Sequence, residues 1–154
     1  MARRGVAPVV AVALLVLVTV VGASAVFTVV DGLSTADTSE RLSIALAVDA
    51  DTGRIAVTHR GGSRVDVRSI SLAVAVDGEP LRFQPPVPFF AARGFASGPS
   101  GPFNTASDPN WTVGERATVR LAGTNDPQIR HGSRVELTVR RDGRRLVTVR
   151  ATAR

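Results

Sequence analysis

The feature that most constrains this chain is an uncharged stretch of 25 residues, Val6 to Val30, close to its N-terminus. As a helix this stretch would be about 37 Å long, which exceeds the roughly 30 Å hydrocarbon core of a bilayer. Fifteen of its residues are Val, Leu or Phe, each of which favours the membrane centre by about 0.3–0.6 kcal/mol. The stretch therefore predicts a membrane-spanning helix. Arg3 and Arg4 just before it predict a cytoplasmic N-terminus and an exported remainder.

Composition bounds what the remainder of the chain can be. A length of 154 residues allows one ordinary domain plus one appended segment. The absence of Cys excludes disulfides, a thiol nucleophile and zinc-finger spacing. All 19 basic residues are Arg, and beyond the N-terminus they are spread along predicted strands instead of forming one block. This distribution favours a charged, solvated surface, and no nucleic-acid partner is predicted.

Three ways of processing the N-terminus are open. An ordinary secretory signal peptide would use Ala23-Ser24-Ala25 as a small-residue cleavage site, so that the mature protein begins at Val26. The apolar run is longer than the usual 7–15 residues or so and continues past that site, which argues against this alternative. An uncut signal anchor would keep an N-terminus near Met1.

The third alternative rests on the run from Arg3 to Val12, RRGVAPVVAV. This run resembles the N-terminal signature of archaeal type IV pilins, particularly haloarchaeal ones. The resemblance implies that a prepilin peptidase removes a basic leader containing Arg3 and Arg4 by cutting between Gly5 and Val6. It also implies that the hydrophobic helix stays attached, anchors the precursor in the membrane and later packs against copies of itself or other pilins in a surface pilus. Many bacterial pilins carry Glu at the fifth mature position, where this chain has Val10.

Beyond Asp31 the apolar period changes to two, which is typical of half-buried strands. Alternating runs are centred on residues 42–48, 55–57, 70–76, 81–83, 119–121, 135–139 and 146–149. Asp51-Thr52-Gly53, Gly61-Gly62-Ser63, Asp77-Gly78 and Asp142-Gly143 are predicted turns, and Asp-Gly between alternating runs is a strong hairpin signal. Six to eight short strands predict an antiparallel sandwich.

A proline-rich stretch, residues 84–111, separates the two groups of strands. It holds six of the nine Pro, and a loop of this length is uncommon in a compact domain unless it is functional or disordered. Its aromatic residues disfavour disorder. Two interpretations stay open: an ordered loop that caps an open end of the sandwich, or a contact surface for a neighbouring subunit or target. The candidate contact residues are Phe89, Phe90, Phe95, Phe103 and Trp111.

Signals for chemistry are few. His59 and His131 stand beside predicted turns, where histidines are usually surface residues, and Asp49 and Asp51 bracket a turn that they are expected to stabilise. No catalytic constellation, cofactor-binding motif or metal-ligand spacing stands out, so we predict a protein that is not an enzyme. Asn110-Trp111-Thr112 fits the N-glycosylation acceptor pattern. A sugar at Asn110 would leave Trp111 at least partly exposed.

The predicted fold class is an N-terminal hydrophobic transmembrane or stalk α-helix followed by an all-β antiparallel, immunoglobulin-like sandwich head. The predicted parts are a leader (1–5), the hydrophobic helix (6–33), a linker (34–41) and the head (42–154) with its long loop (84–111). The predicted function is a type IV pilin-like subunit of a cell-surface filament that supports adhesion, located in the membrane as a precursor and then at the cell surface. The alternative is a membrane-anchored or secreted β-sandwich module that binds a polyanion or another surface partner through its arginines.

Overall fold

Alternating apolar and polar residues form nine strands in residues 42–154, the part of the chain that our computed structural model describes. The described residues belong to the second of two units into which the chain divides, Glu40–Arg154. The strands are β1 (Leu42–Asp49), β2 (Arg54–Gly62), β3 (Val65–Asp66), β4 (Ile70–Val76), β5 (Glu79–Pro80), β6 (Asn110–Trp111), β7 (Arg116–Arg120), β8 (Arg134–Arg141) and β9 (Arg144–Thr152). Short 3-10 turns span Val67–Ser69 and Gly101–Phe103.

The strands form two main sheets and one two-stranded ribbon. One sheet has the order β1-β2-β7, the other has the order β5-β4-β8-β9, and β3 pairs with β6. Every pairing within these sheets is antiparallel; Val48 lies opposite Ile55, and Val74 lies opposite Leu137. The inward side chains of both sheets form one continuous apolar cluster that includes Ile55, Val57, Val74, Val119, Leu137 and Val139. This arrangement fits a β-sandwich.

The two sheets meet along β1 and β9, which run in the same direction. The Arg154 N–H donates to the Val48 carbonyl (3.2 Å), and the Ala50 N–H donates to the Arg154 carbonyl (2.9 Å). Two such bonds on either side of Asp49 are the pattern of a parallel bridge. Because the strands are parallel, the start of β1 at Leu42 and the start of β9 at Arg144 lie at the same end of the domain, which we call the Leu42 end.

The fold class predicted from the sequence is corrected here. The described residues are all-β: they contain no α-helix, and none of their helical segments is long and apolar enough to cross a bilayer. The predicted transmembrane helix, residues 6–33, lies outside the described residues, as do the predicted leader and linker. For residues 42–154 the fold is therefore all-β, with antiparallel pairing inside each sheet, because their apolar residues repeat with a period of two.

Most predicted strands are confirmed, and the differences lie at their ends. The predicted turn at Gly61-Gly62 is wrong, because β2 continues through Gly62 opposite Leu42. The strand expected through Leu81 and Phe83 is not formed, because the strand after the Asp77-Gly78 turn, β5, covers only Glu79–Pro80. Glycine is tolerated in a strand as well as in a turn, so the residue types at Gly61-Gly62 did not locate the end of β2.

The two Asp-Gly hairpin turns are confirmed by their backbone conformation. Asp77 and Gly78 have φ of 53° and 89°, and Asp142 and Gly143 have φ of 49° and 77°. Positive φ at both central residues is the geometry of a type I′ turn, whose twist matches that of paired strands. Asp77 has an additional role, since its carboxylate accepts a hydrogen bond from the Arg134 N–H at 2.7 Å.

This bond makes stability depend on pH in the acid range. The Arg134 N–H, and to a lesser degree the Ser133 side chain, lowers the pKa of Asp77 below its ordinary value of 3.8. A carboxyl with a depressed pKa in the folded state stabilises the fold fully above its unfolded pKa, and the contribution is lost as pH falls through the folded value. We expect Asp77→Asn to weaken the acid dependence of the unfolding free energy below about pH 4, measured by urea unfolding at a series of pH values.

Asp142→Asn is the matched control for this prediction. Asp142 occupies the same turn position, and its side chain makes no hydrogen bond among residues 42–154. Asn tolerates a positive φ, so neither substitution strains the turn. Equal pH profiles for Asp77→Asn and the unsubstituted protein would contradict the assignment.

Candidate binding groove beside the proline-rich loop

The proline-rich loop covers the free edge of β7. Phe95 forms an antiparallel bridge with Leu121, and Ser100 forms one with Thr118. The Ser100 N–H donates to the Thr118 carbonyl (3.0 Å), and the Thr118 N–H donates back to Ser100 (3.2 Å). An uncovered strand edge would present unpaired N–H and C=O groups to other chains. The loop therefore completes the sheet instead of capping an open end of the sandwich.

The aromatic side chains hold the loop against the core. Phe103 and Trp111 are fully buried with ring centroids 5.4 Å apart, and Phe89 and Phe95 are buried 5.8 Å apart. Phe90 alone of the five is exposed, at 63%. The contact-surface interpretation is therefore corrected for Phe89, Phe95, Phe103 and Trp111, which are core residues. Phe90 is the loop aromatic that a partner could reach.

The buried side-chain amide of Asn125 is hydrogen-bonded to the start and the middle of the loop. Asn125 is 2% exposed, and its Nδ2 donates to the carbonyls of Phe83 (2.9 Å) and Gly94 (3.2 Å). Its Oδ1 accepts from the Phe83 N–H at 3.1 Å. A buried polar group without such partners would be costly, so this satisfied amide specifies one position for the loop.

A groove of about 390 Å³ runs between loop residues 96–100 and the outer face of β2 and β7. In β7, Ala117 and Val119 point into the core, so Arg116, Thr118 and Arg120 point outward. Register places Arg54 of β2 directly opposite Arg120. The polar lining consists of Arg54, Arg116, Arg120, Ser97, Ser100 and Thr118.

Like charges face one another in this groove. Arg54 and Arg120 are a cross-strand pair of the same sign, an arrangement that weakens a sheet. Among residues 42–154, no carboxylate pairs with Arg116 or Arg120 within salt-bridge distance. Asp49 lies opposite Arg54 in β1; the Thr52 N–H chiefly, and the Arg54 charge to a smaller degree, lower the pKa of Asp49. The groove is thus a concentration of positive charge.

The groups in the groove suit an anion. Guanidinium binds carboxylate, sulfate or phosphate through parallel N–H donors. The Ser100 Oγ and Thr118 Oγ1 hydroxyls are hydrogen-bonded to each other at 2.6 Å at its side, which leaves one O–H as a further donor. Convergence of three arginines and two hydroxyls makes this the candidate functional site of the described residues.

No protein-family model and no curated protein matches this chain.

The predicted glycosylation acceptor lies on β6. Asn110 is half-buried, and its Nδ2 donates to Asp108 Oδ1 at 2.8 Å. Trp111 is fully buried, contrary to the expectation that accompanied the acceptor pattern. Neighbouring residues of a strand point to opposite faces, so the burial of Trp111 leaves Asn110 on the outer side.

The two histidines have different surroundings. His59 is fully buried in β2, contrary to the expectation of a surface residue, because the strand extends past it. Its Nε2 bonds the Ser63 carbonyl at 3.1 Å, and its ring meets Trp111 edge to face. His131 is exposed and contacts Asp51 at 2.8 Å.

The remaining predicted residues are placed as follows. Asp49 accepts from the Thr52 N–H at 3.0 Å and so stabilises the turn, as expected. Within residues 42–154, no group of three or more potential ligands could hold a metal ion. Arg3, Arg4, Gly5 and Val6, the predicted leader and its cleavage site, lie outside the described residues.

Sequence reasoning recognised the arginines but not the groove. The signal in the sequence for these side chains is their solvent-facing position in an alternating strand, which Arg54, Arg116 and Arg120 share. Their convergence depends on the pairing of β2 with β7 and on the loop beside them. Neither is visible in local periodicity.

Proposed function

We propose that this chain is a pilin-like structural subunit of a cell-surface filament that supports adhesion. The observation that carries the proposal is the run of Arg3-Arg4-Gly5 followed directly by 25 uncharged residues, ahead of a polar remainder. In this proposal a prepilin peptidase cuts between Gly5 and Val6. The apolar segment then holds the precursor in the membrane and later joins copies of itself or other pilins, with the head outside the cell.

The arrangement of the head supports a role in adhesion. The chain enters β1 at Leu42. Arg54 of β2 and Arg120 of β7 lie opposite each other at the other end of the sheet. A subunit held by the residues before Leu42 therefore carries the groove on the part of the head that is farther from its attachment. Surface arginines at that position are accessible to anionic groups on a target.

Determination of the N-terminus of the native protein tests the proposal. Intact mass and N-terminal sequencing are expected to show a chain that begins at Val6. Gly5→Leu is expected to leave the precursor uncut and the cells without filaments in electron micrographs, because the peptidase requires a small residue at the cut. Val9→Leu, a change within the apolar segment, is the control and is expected to be processed. A mature chain beginning at Val26 or Met1 would contradict the pilin proposal.

The groove favours a second candidate, a surface module that binds a polyanion. Its test is binding of dextran sulfate to the full chain at low salt. Arg54→Gln with Arg120→Gln is expected to weaken binding about tenfold or more, since hydrogen bonds to charged groups contribute roughly 1.5–3 kcal/mol each. Arg82→Gln with Arg130→Gln removes the same charge outside the groove. Equal losses for the two pairs would show that net charge alone attracts the polyanion.

A further inference from the structure

The hairpin joining β8 to β9 concentrates arginine at its tip. Residues 140–145 read Arg-Arg-Asp-Gly-Arg-Arg, and register pairs Arg140 with Arg145 and Arg141 with Arg144. Arg140, Arg144 and Arg145 are exposed, whereas Arg141 reaches the 3-10 turn before β4, where its Nε donates to Ser69 Oγ at 3.1 Å. We call residues 140–145 the arginine tip.

The charge of the arginine tip is poorly balanced. Asp142 is its only carboxylate, and in the part of the chain that the structure describes Arg140, Arg144 and Arg145 form no salt bridge. Pairs of like charge face each other across the hairpin, which weakens it locally. Asp66, which caps the neighbouring 3-10 turn, is already paired with Arg68 at 2.7 Å. This conflict with stability points to a ligand of opposite charge.

Topology places the arginine tip at the Leu42 end. The bonds between Arg154, Val48 and Ala50 show that β1 and β9 run in parallel, so β9 begins at the end where β1 begins. β1 has eight residues and is about 26 Å long, so the two ends of the domain are well separated. Leu42 is also where the chain arrives from its apolar segment.

The predicted linker, residues 34–41, spans at most about 28 Å when fully extended. If the residues before this linker are in a bilayer, the Leu42 end stays within that distance of the lipid surface. When the Leu42 end faces the lipid, the turn at Thr52 lies a strand length farther away.

We propose that the arginine tip binds the anionic headgroups of the membrane that holds the precursor, before the subunit enters a filament. This inference rests on the proposed function, because it requires the apolar segment to be in a bilayer. An arginine near an anionic lipid surface contributes on the order of a fivefold factor in partitioning, and the attraction falls off within a Debye length. Three free arginines at one tip therefore suffice to hold the head against such a surface.

The test uses the full chain, whose lack of cysteine permits a single labelling site. Ser71→Cys places a fluorophore beside the tip, because Ser71 is exposed and lies opposite Arg140. Thr52→Cys places it at the opposite end, in the exposed turn between β1 and β2. Each labelled protein is reconstituted into phosphatidylcholine vesicles with or without phosphatidylglycerol, and the vesicles carry a headgroup-linked quencher.

In vesicles with phosphatidylglycerol we expect the label at Ser71 to be quenched more strongly than the label at Thr52. We expect added salt to remove this difference, and vesicles without phosphatidylglycerol not to show it. The double variant Arg144→Gln, Arg145→Gln should lower the ratio of quenched to unquenched label at Ser71 by more than tenfold, because each arginine contributes about fivefold. Arg82→Gln with Arg130→Gln, which removes equal charge outside both the tip and the groove, should leave it unchanged. Equal quenching in both vesicle types, or equal effects of the two pairs, would overturn the inference.

A separate measurement distinguishes this inference from the proposed function. Alkaline carbonate extraction reports whether the chain is anchored in the vesicles. If carbonate releases the protein, the anchoring required of a pilin precursor fails, while salt-sensitive quenching at Ser71 would still support lipid binding by the tip. If the protein stays anchored but Ser71 is not quenched, lipid binding by the tip is refuted and the proposed function stands.

Discussion

Replacing Trp111 with alanine is expected to lower the free energy of unfolding by about 3–5 kcal/mol, as for large aromatic residues removed from other cores. Trp111 is fully buried between Phe103 and His59, and its Nε1 donates to the Glu115 carbonyl at 3.1 Å. The substitution therefore leaves a cavity and removes the donor to that carbonyl. Urea unfolding followed by circular dichroism measures the change, since it does not depend on the lost indole.

Two further variants make the result specific. Phe90→Ala removes an aromatic ring of the same loop that is 63% exposed, and its effect is expected to stay within about 0.5 kcal/mol. Trp111→Phe keeps most of the apolar contact and is expected to be intermediate, which preserves the comparison if the alanine variant does not fold. Similar losses for Trp111→Ala and Phe90→Ala would contradict the division of the loop into core and surface aromatics.

Replacing Gly101 with alanine is expected to cost about 2–4 kcal/mol, because two penalties combine. Gly101 has a φ of +63°, which is strained for residues with a side chain. A Cβ at this position would also overlap the backbone carbonyl oxygen of Arg116 and lie 3.2 Å from the Ala117 Cα. The backbone of β7 cannot yield as a flexible side chain would, so the loop must separate from the strand that it covers.

Gly98 provides the matched control within the same loop. Its φ is +72°, but a Cβ added there would meet no neighbouring atom within 4 Å. Gly98→Ala therefore carries only the conformational penalty of about 1–2 kcal/mol. The difference in unfolding free energy between the two variants is therefore the cost of the steric overlap between a Cβ at position 101 and the backbone of β7. Equal costs would mean that the loop does not pack against this strand as described.

The features that depend on neighbouring residues could be predicted from the sequence alone. Alternation through Ile70 to Val76 and Val135 to Val139 predicted β4 and β8, and Asp77-Gly78 and Asp142-Gly143 predicted their turns, because strand period and type I′ geometry are set within a few residues. The uncharged stretch from Val6 to Val30 and the leader before it are likewise local signals, and the pilin-like function argued from them stays a prediction.

Contacts between residues distant in sequence became visible only in the three-dimensional fold. Periodicity does not distinguish Phe89 from Phe90 in an irregular loop. Phe89 is buried and Phe90 is exposed because of how the loop lies on β7. The glycines after His59 suit a turn as well as a strand, and pairing of β2 with β1 settled the burial of this histidine. The meeting of Arg54 with Arg120, and the parallel course of β1 and β9, depend on register and on sheet packing. Both are set by contacts between residues distant in sequence, on which local patterns carry no information.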